Sequence, residues 1–356
     1  MNSTRSGTVV AAFGRHYEIE LADSTTATGY PLGKKSIYTC GDEIELSDDG
    51  QILSLHPRRT LLYRGDGFRE KLIASNVTQI ILVVATDPSF NDALLTRALV
   101  AAEHEGMQAL IVLNKCDLQN GLAAARALLA PYVALGYRVI EMCAKQDVSE
   151  LKLLLQNQVS VLVGQSGMGK STLTNALIPG ALAATREVSV ALDSGKHTTT
   201  HARMYRLPVG ARPTLAEGAD PFPLPSRERD RGRGGEANLP VGAGETNAKP
   251  KTTKQQGGRA NDALGAVACG NTPSNSNAAL IDCPGLQEFG LAHLNPAQIG
   301  HGFLEFRSLL GQCRFRDCQH RSEPGCAIKA AIASGQVHPR RLEHFHQLVA
   351  ALGKGE

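Results

Sequence analysis

Tryptophan is absent from this chain, aromatic residues make up only 4% of it, and neither shortage says much about function. No apolar run approaches the ~20 residues of a membrane span, so a spanning helix is excluded and no membrane partner is expected. The opening MNSTRSGTVV lacks the charged-then-apolar pattern of a secretory signal, which predicts a cytoplasmic protein. A strong charge bias is also missing: the net charge of +3 is too small to announce a nucleic-acid partner by itself. Cysteine is not abundant either. Three of the eight cluster near the C-terminus, and in a cytoplasmic chain such clustering points to metal rather than disulfides.

The 356 residues, 42% of them hydrophobic and 20% charged, suit a globular protein of two or three domains. Residues 1–62 alternate apolar and polar positions in short runs (GTVVAAF, YEIELA, DEIELS, QILSLHP) separated by Gly, Pro and Asp, the texture of an all-β, OB-like barrel of about five strands. From residue 78 apolar runs alternate with helical stretches, as in a parallel sheet covered by helices. Strands are predicted at 78–86, 108–114, 137–144, 159–165, 202–207 and 278–282, with helices at 91–105, 121–134, 148–156 and 170–178. This is a central α/β domain over 70–290. Residues 208–277 interrupt it with a stretch rich in Gly, Pro, Asn and charge, too poor in large apolar residues to offset ordering entropy. It reads as a disordered insertion in a hairpin loop. Residues 291–356 form a third, small helical domain, with helix-like sequence at Ala327–Ala333 and Pro339–Leu352.

Each nucleotide motif is placed at the C-terminal end of a strand, where open α/β sheets bind ligands. Gly164-Gln165-Ser166-Gly167-Met168-Gly169-Lys170-Ser171-Thr172 follows a strand and opens a helix, the context a phosphate loop requires. Its glycines let backbone N–H groups wrap phosphates, Lys170 would reach the β- and γ-phosphates, and Ser171 would offer an oxygen to Mg²⁺. Asn114-Lys115-Cys116-Asp117 selects guanine, because the Asp117 carboxylate matches the adjacent N1 and N2 donors that adenine lacks. Asn114 would brace the site and Lys115 would lie over the base. Cys143-Ala144-Lys145 would place the Ala144 N–H against guanine O6. In HTTT, Thr198 or Thr199 would be a switch threonine on Mg²⁺; in DCPG, Asp282 would be an outer Mg²⁺ partner and the Gly285 N–H would meet the γ-phosphate.

The order of these motifs is rotated. Base-recognition signatures precede the phosphate loop, and DCPG comes last. The parts of a P-loop GTPase are therefore all present in circularly permuted order. Leu286 follows Gly285, where many GTPases place a Gln that orients the attacking water. Slow intrinsic hydrolysis is expected, with His197 the internal candidate for positioning water. A second motif, Cys313-x₄-Cys318-x-His320-x₅-Cys326, supplies four ligands for a closed, structural Zn²⁺ site. Arg314, Arg316, Arg321, Lys329, Arg340 and Arg341 surround it as candidate phosphate contacts. His338, His344 and His346 read as surface residues of a helix.

With NVTQIILVVATDPSF, VLNKCDL, GQSGMGKSTLTNAL, GKHTTTHA, IDCPGLQEFGL and CRFRDCQHRSEPGCAIKAA in view, the chain resembles the ribosome small-subunit-dependent GTPase A family of bacteria. The resemblance covers nearly everything outside 208–277. It implies an OB domain, a permuted GTPase domain and a zinc domain, in a monomer that binds GTP or GDP with Mg²⁺. It also implies a late role in small-subunit maturation, contact with ribosomal RNA, and hydrolysis stimulated by the subunit. The family's apolar residue after DxPG maps to Leu286, and its zinc ligands to Cys313, Cys318, His320 and Cys326. One departure concerns the barrel, where six Lys/Arg face eight Asp/Glu over residues 1–62. Lys34-Lys35 and Arg58-Arg59 are its basic candidates for RNA contact. The alternative is a GTP-dependent RNA- or ribosome-binding module that does not turn over.

Overall fold

The computed structural model describes residues 4–14, 16–33, 37–65, 70–181, 202–207, 278–283 and 289–352. Five strands, β1 (Thr4–Ala12), β2 (Tyr17–Leu21), β3 (Thr26–Pro31), β4 (Glu43–Ser47) and β5 (Gln51–Leu55), pair in the order β1-β2-β3-β5-β4. The pairing of β4 back onto β1 closes them into a barrel. Alternation along these strands sends Val9, Tyr17, Ile19, Ile44, Leu46 and Ile52 inward, with Tyr38 edge-on to Tyr17 at 5.4 Å between ring centroids. A register shift between Val9 and Ala11 bends β1 where it leaves the barrel.

A hairpin of β6 (Leu61–Gly65) and β7 (Glu70–Ser75) follows, an element that falls outside the strands expected from the sequence. The central sheet then alternates strand and helix: β8 (Gln79–Ala85), α1 (Asp92–Glu105), β9 (Gln108–Asn114), α2 (Leu122–Ala134), β10 (Arg138–Glu141), α3 (Ser149–Leu154), β11 (Val159–Val163) and α4 (Lys170–Leu177). Strands β12 (Arg203–Arg206) and β13 (Ala279–Asp282) complete it in the order β10-β9-β8-β11-β13-β12. All seven residues of β8 are buried, as expected of a strand covered on both faces. The parallel run ends at β12, which is antiparallel to β13 and joins barrel strand β1 through the pair Ala11↔Arg203. From β8 the chain moves outward to β9 and β10 and returns on the other side to β11. This reversal puts the topological switch point beside the start of the phosphate loop.

The C-terminal region holds α5 (Pro296–His301), a 3₁₀ turn at Leu304–Phe306, α6 (Ala327–Ala333) and α7 (Pro339–Leu352). The last two match the helical stretches expected there. Asn295 and Gln298 close a reciprocal capping box at the start of α5. Phe303 and Phe306 stack, and Phe345 of α7 meets both edge-on, forming a small aromatic core. Among the described residues no helix is long and apolar enough to cross a membrane. The insertion expected at 208–277 lies outside the described residues, as do His197, Thr198, Thr199, Gly285, Leu286, Lys34 and Lys35.

Three charged or polar positions differ from their sequence-based expectation. Arg58 is not a free cation: it forks onto both oxygens of the fully buried Asp42 at 2.7 Å, and that carboxylate also accepts from Ser75. Arg341 is 2% exposed and ion-paired with Glu305 at 2.6 Å, so it is no surface phosphate contact. His344 is buried as well and bonded to Thr96. Each is a polar group placed in the interior and matched there by a partner distant in sequence.

Candidate functional site

Three segments far apart in sequence meet at the C-terminal edge of the central sheet. Asn114, the last residue of β9, is buried and acts as the clasp. Its Nδ2 donates to the carbonyl of Met168 in the phosphate loop at 2.9 Å, and its Oδ1 accepts from the Ala144 N–H at 3.0 Å. The Ala144 N–H, expected to face guanine O6, is instead donated to Asn114 Oδ1 in this clasp, and the amide of Lys145 is the next one along. The approach is so close at Gly169 that a Cβ there would lie 2.4 Å from Asn114 Nδ2. Gly164 is equally constrained: its Cβ would fall 2.3 Å from the Val83 carbonyl of β8. Both have φ in the left-handed region, +156° and +90° respectively for Gly164 and Gly169, which only glycine adopts freely.

The helix behind the loop, α4, has Gly169 at its N-cap and no side-chain cap. Its first backbone N–H groups are therefore left for a ligand, and the helix dipole favours an anion there. Lys170 folds back onto the loop, donating to the carbonyls of Gly164 and Gln165, the latter at 2.8 Å. Asp282 ends the adjacent strand β13. Burial pushes its carboxyl pKa up while Lys170 pulls it down; burial likewise lowers the Lys170 ammonium while Asp282 opposes. Each group is short of counter-charge where it sits, a site fit to receive a polyanion and a hard cation together. Ser166, Gly167, Ser171 and Thr172 are exposed along the same rim.

The neighbouring turn is built to present a carboxylate. Lys115 takes a left-handed φ of +62°, its carbonyl accepts from Thr86 at 3.0 Å, and its Nζ donates to the Asp87 carbonyl at 2.6 Å. The Cys116 N–H is tied to the Met142 carbonyl at 3.1 Å, joining this turn to the Cys143–Lys145 loop. Asp117 stands exposed at the tip. The cysteines of these loops are packing groups: Cys116 Sγ donates to the Leu113 carbonyl, and burial raises its pKa.

One supporting contact has no motif to announce it. The Asn91 N–H donates to Gln165 Oε1 at 2.7 Å, linking the start of α1 to the phosphate loop. It joins residues 74 positions apart, which no local pattern reveals.

Some distance along the chain, His320 Nδ1 lies 3.4 Å from Cys326 Sγ and 3.5 Å from both Cys313 and Cys318 Sγ. A tetrahedral Zn²⁺ with Zn–S of about 2.3 Å and Zn–N of about 2.0 Å sets sulfur-to-nitrogen separations near ~3.6 Å. The four side chains therefore fit that ion. Without a cation beside it the Cys318 thiol is pushed up to about 12, first by burial and then by its neighbouring sulfurs, so its ligating thiolate form depends on a positive charge at this point. Burial also holds the His320 imidazole toward its neutral, ligating form. Around the ligands, the Ala327 N–H points at Cys313 Sγ, and Glu323 accepts from the N–H groups of Gln319, Arg321 and Ser322, which shapes the loop.

Comparison with known proteins agrees with this arrangement. The family model described as RsgA GTPase matches residues 55–212. The small ribosomal subunit biogenesis GTPase RsgA of Nitrosospira multiformis is 41% identical over 350 residues, covering 97% of this chain and 90% of that protein. The chain belongs to the RsgA GTPase family. A relative of the same name from Nitrosomonas europaea is 40% identical, with coverage of 98% and 92%. Among solved structures, YjeQ from Thermotoga maritima superposes with a TM-score of 0.63 at 23% identity, covering 98% of this chain and 99% of that one. YloQ, described as a circularly permuted GTPase, gives 0.60 at 21% identity, covering 99% and 96%. These two likenesses speak for the fold: a barrel followed by a permuted nucleotide-binding sheet.

Proposed function

We propose that the chain hydrolyses GTP and acts in the biogenesis of the small ribosomal subunit. The observation that carries this reading is the Asn114 clasp, which brings the base-recognition turn, the Ala144 loop and the phosphate loop into one pocket despite their permuted order. In that pocket Asp117 takes guanine N1 and N2, and Lys115 and Lys145 flank the base. The phosphate loop, Gly164 to Thr172, wraps the phosphates, with Lys170 on the β- and γ-phosphates and Ser171 toward Mg²⁺. Asp282, with Thr198 or Thr199, would help hold that ion, which would neutralise charge on the phosphates. The Gly285 N–H senses the γ-phosphate. His197 positions the attacking water, because Leu286 has no polar atom to do so. Cys313, Cys318, His320 and Cys326 would hold Zn²⁺ in a structural role.

Three domains are proposed: a barrel over 1–62, the GTPase domain over 70–290, and the zinc domain over 291–356. Ribosomal RNA contact is assigned chiefly to the last. Phe315 is 41% exposed between Arg314 and Arg316, both also exposed, and an aromatic face flanked by cations suits an unstacked base and its phosphates.

GTP turnover titrated with purified small subunits tests this reading: a rise that saturates with subunit supports it, whereas phosphate release at the buffer rate favours a GTP-dependent binding module that does not turn over. Asp117→Asn separates base selection from folding. The variant is expected to lose guanine nucleotides and gain xanthine nucleotides, and a variant that still prefers GTP would remove Asp117 from the site.

A further inference from the structure

We infer that His344 and Arg340 of α7 are positioning residues for the phosphate loop, acting through the first turn of α1. The inference deepens the reading above and rests on that loop binding nucleotide. Two adjacent residues at the start of α1 face different ways. Asn91 gives its backbone N–H to Gln165 Oε1 of the loop at 2.7 Å, while its side chain caps the helix by accepting from the Ala93 N–H. Asp92, the next residue, is held by α7: Arg340 Nη1 lies 3.1 Å and His344 Nε2 3.5 Å from its carboxylate oxygens. The His344 ring is fixed from its other side. Its Nδ1 meets Thr96 Oγ1 at 2.9 Å, and that hydroxyl also bonds Tyr132 and accepts from the buried Arg341. The Tyr132 hydroxyl returns to the Asp92 carbonyl at 3.1 Å, closing the ring of contacts.

Asn91 and Asp92 share a peptide bond, so α7 cannot shift against Asp92 without moving the amide that holds Gln165. Burial makes the arrangement stiff, since each polar group inside would lose its partner if the helices slid. A phosphate loop held in its binding shape loses less freedom when nucleotide arrives, so the contact raises affinity without touching the ligand. α7 also packs on the zinc-ligand region, with Phe345 beside the His320 ring at 5.9 Å and His346 bonded to the Gln319 carbonyl. Whatever grips that region therefore has a mechanical route to nucleotide affinity.

The test is a double-mutant cycle read by the GDP dissociation constant. His344→Ala and Gln165→Ala are each expected to weaken GDP three- to tenfold, and the double variant to be little weaker than Gln165→Ala alone. His344→Gln, which restores a donor near the Nε2 position, should recover most of the affinity; zinc content should stay at one per chain throughout. Arg340→Gln, a half-exposed change that folding tolerates, should show the same coupling at smaller size. Multiplicative effects in both cycles, or unchanged GDP affinity in His344→Ala and Arg340→Gln, would overturn the inference while leaving the nucleotide site intact. A wild-type chain that binds no GDP would overturn the nucleotide reading and this inference together.

Discussion

At the scale of single residues, Asn114 is the position where the site is most concentrated. Asn114→Ala would leave the Met168 carbonyl and the Ala144 N–H without their partner, a cost of about 1–3 kcal/mol for each group that stays dry. Denaturant unfolding should therefore shift by about 2–4 kcal/mol and GDP affinity should fall at least tenfold; stability preserved alongside normal affinity would contradict the clasp. Asp282 gives a prediction in pH. Its folded pKa is raised by burial, so its contribution to the stability of the nucleotide-free chain is fully present below the unfolded carboxyl pKa and is lost as pH rises through the raised folded value. The Mg²⁺ role proposed for Asp282 needs the ionised form, so GTP–Mg²⁺ binding is expected to run the other way and to weaken on acidification. The difference between wild type and Asp282→Asn, measured by unfolding with and without GTP–Mg²⁺ from neutral to mildly acidic pH, isolates both slopes. Slopes of the same sign would refute the assignment.

At the scale of elements, the Cys313–Cys318–His320–Cys326 cluster, proposed as a zinc site, lies just ahead of α6 and against α7. Cys326 is the N-cap of α6 without a side-chain cap bond, so a zinc ion at the proposed site would anchor the helix start as well as the loop. Chelating the zinc is expected to lower the unfolding temperature and to expose the Phe303–Phe306–Phe345 cluster to a hydrophobic dye, with zinc restoring both; a chelated protein with unchanged melting would make the cluster dispensable. These helices were legible in the sequence because their apolar positions recur at helical spacing. The polar members of that stripe were not. Arg341, His344, Phe345 and Leu348 sit at i, i+3, i+4 and i+7 of one buried face, but residue type argues for solvent, and only Glu305 and Thr96, far off in sequence, reverse that. The β6–β7 hairpin escaped for a different reason: its register shifts between Leu62 and Tyr63, which breaks the two-residue alternation that identifies a strand. The phosphate loop was legible because the close backbone approaches at Gly164 and Gly169 demand glycine at fixed spacings. The Asn91–Gln165 contact was not, since an amide oxygen and a distant N–H carry no pattern.

At the scale of the whole molecule, the sheet runs from nucleotide site to barrel without a break. β12 follows directly on the HTTT motif in sequence and joins β1 through a single residue pair. One such pair is a weak hinge, and two ion pairs reinforce it: Arg203 with Glu18 at 2.8 Å and Arg206 with Glu20 at 2.6 Å. Both are partly exposed, so each contributes no more than about 1 kcal/mol and less at high salt. Their value would lie in direction rather than strength, since they fix the barrel to the strand that follows the HTTT segment in sequence. Glu18→Lys with Glu20→Lys should therefore cost the fold about 1–2 kcal/mol and leave GDP affinity within twofold, because neither residue approaches the pocket. If the barrel reads the switch through this seam, subunit-stimulated hydrolysis in the variant should fall severalfold while hydrolysis without subunits stays level. Equal stimulation in variant and wild type, at matched subunit occupancy, would mean that the barrel rides on β12 without reporting on it.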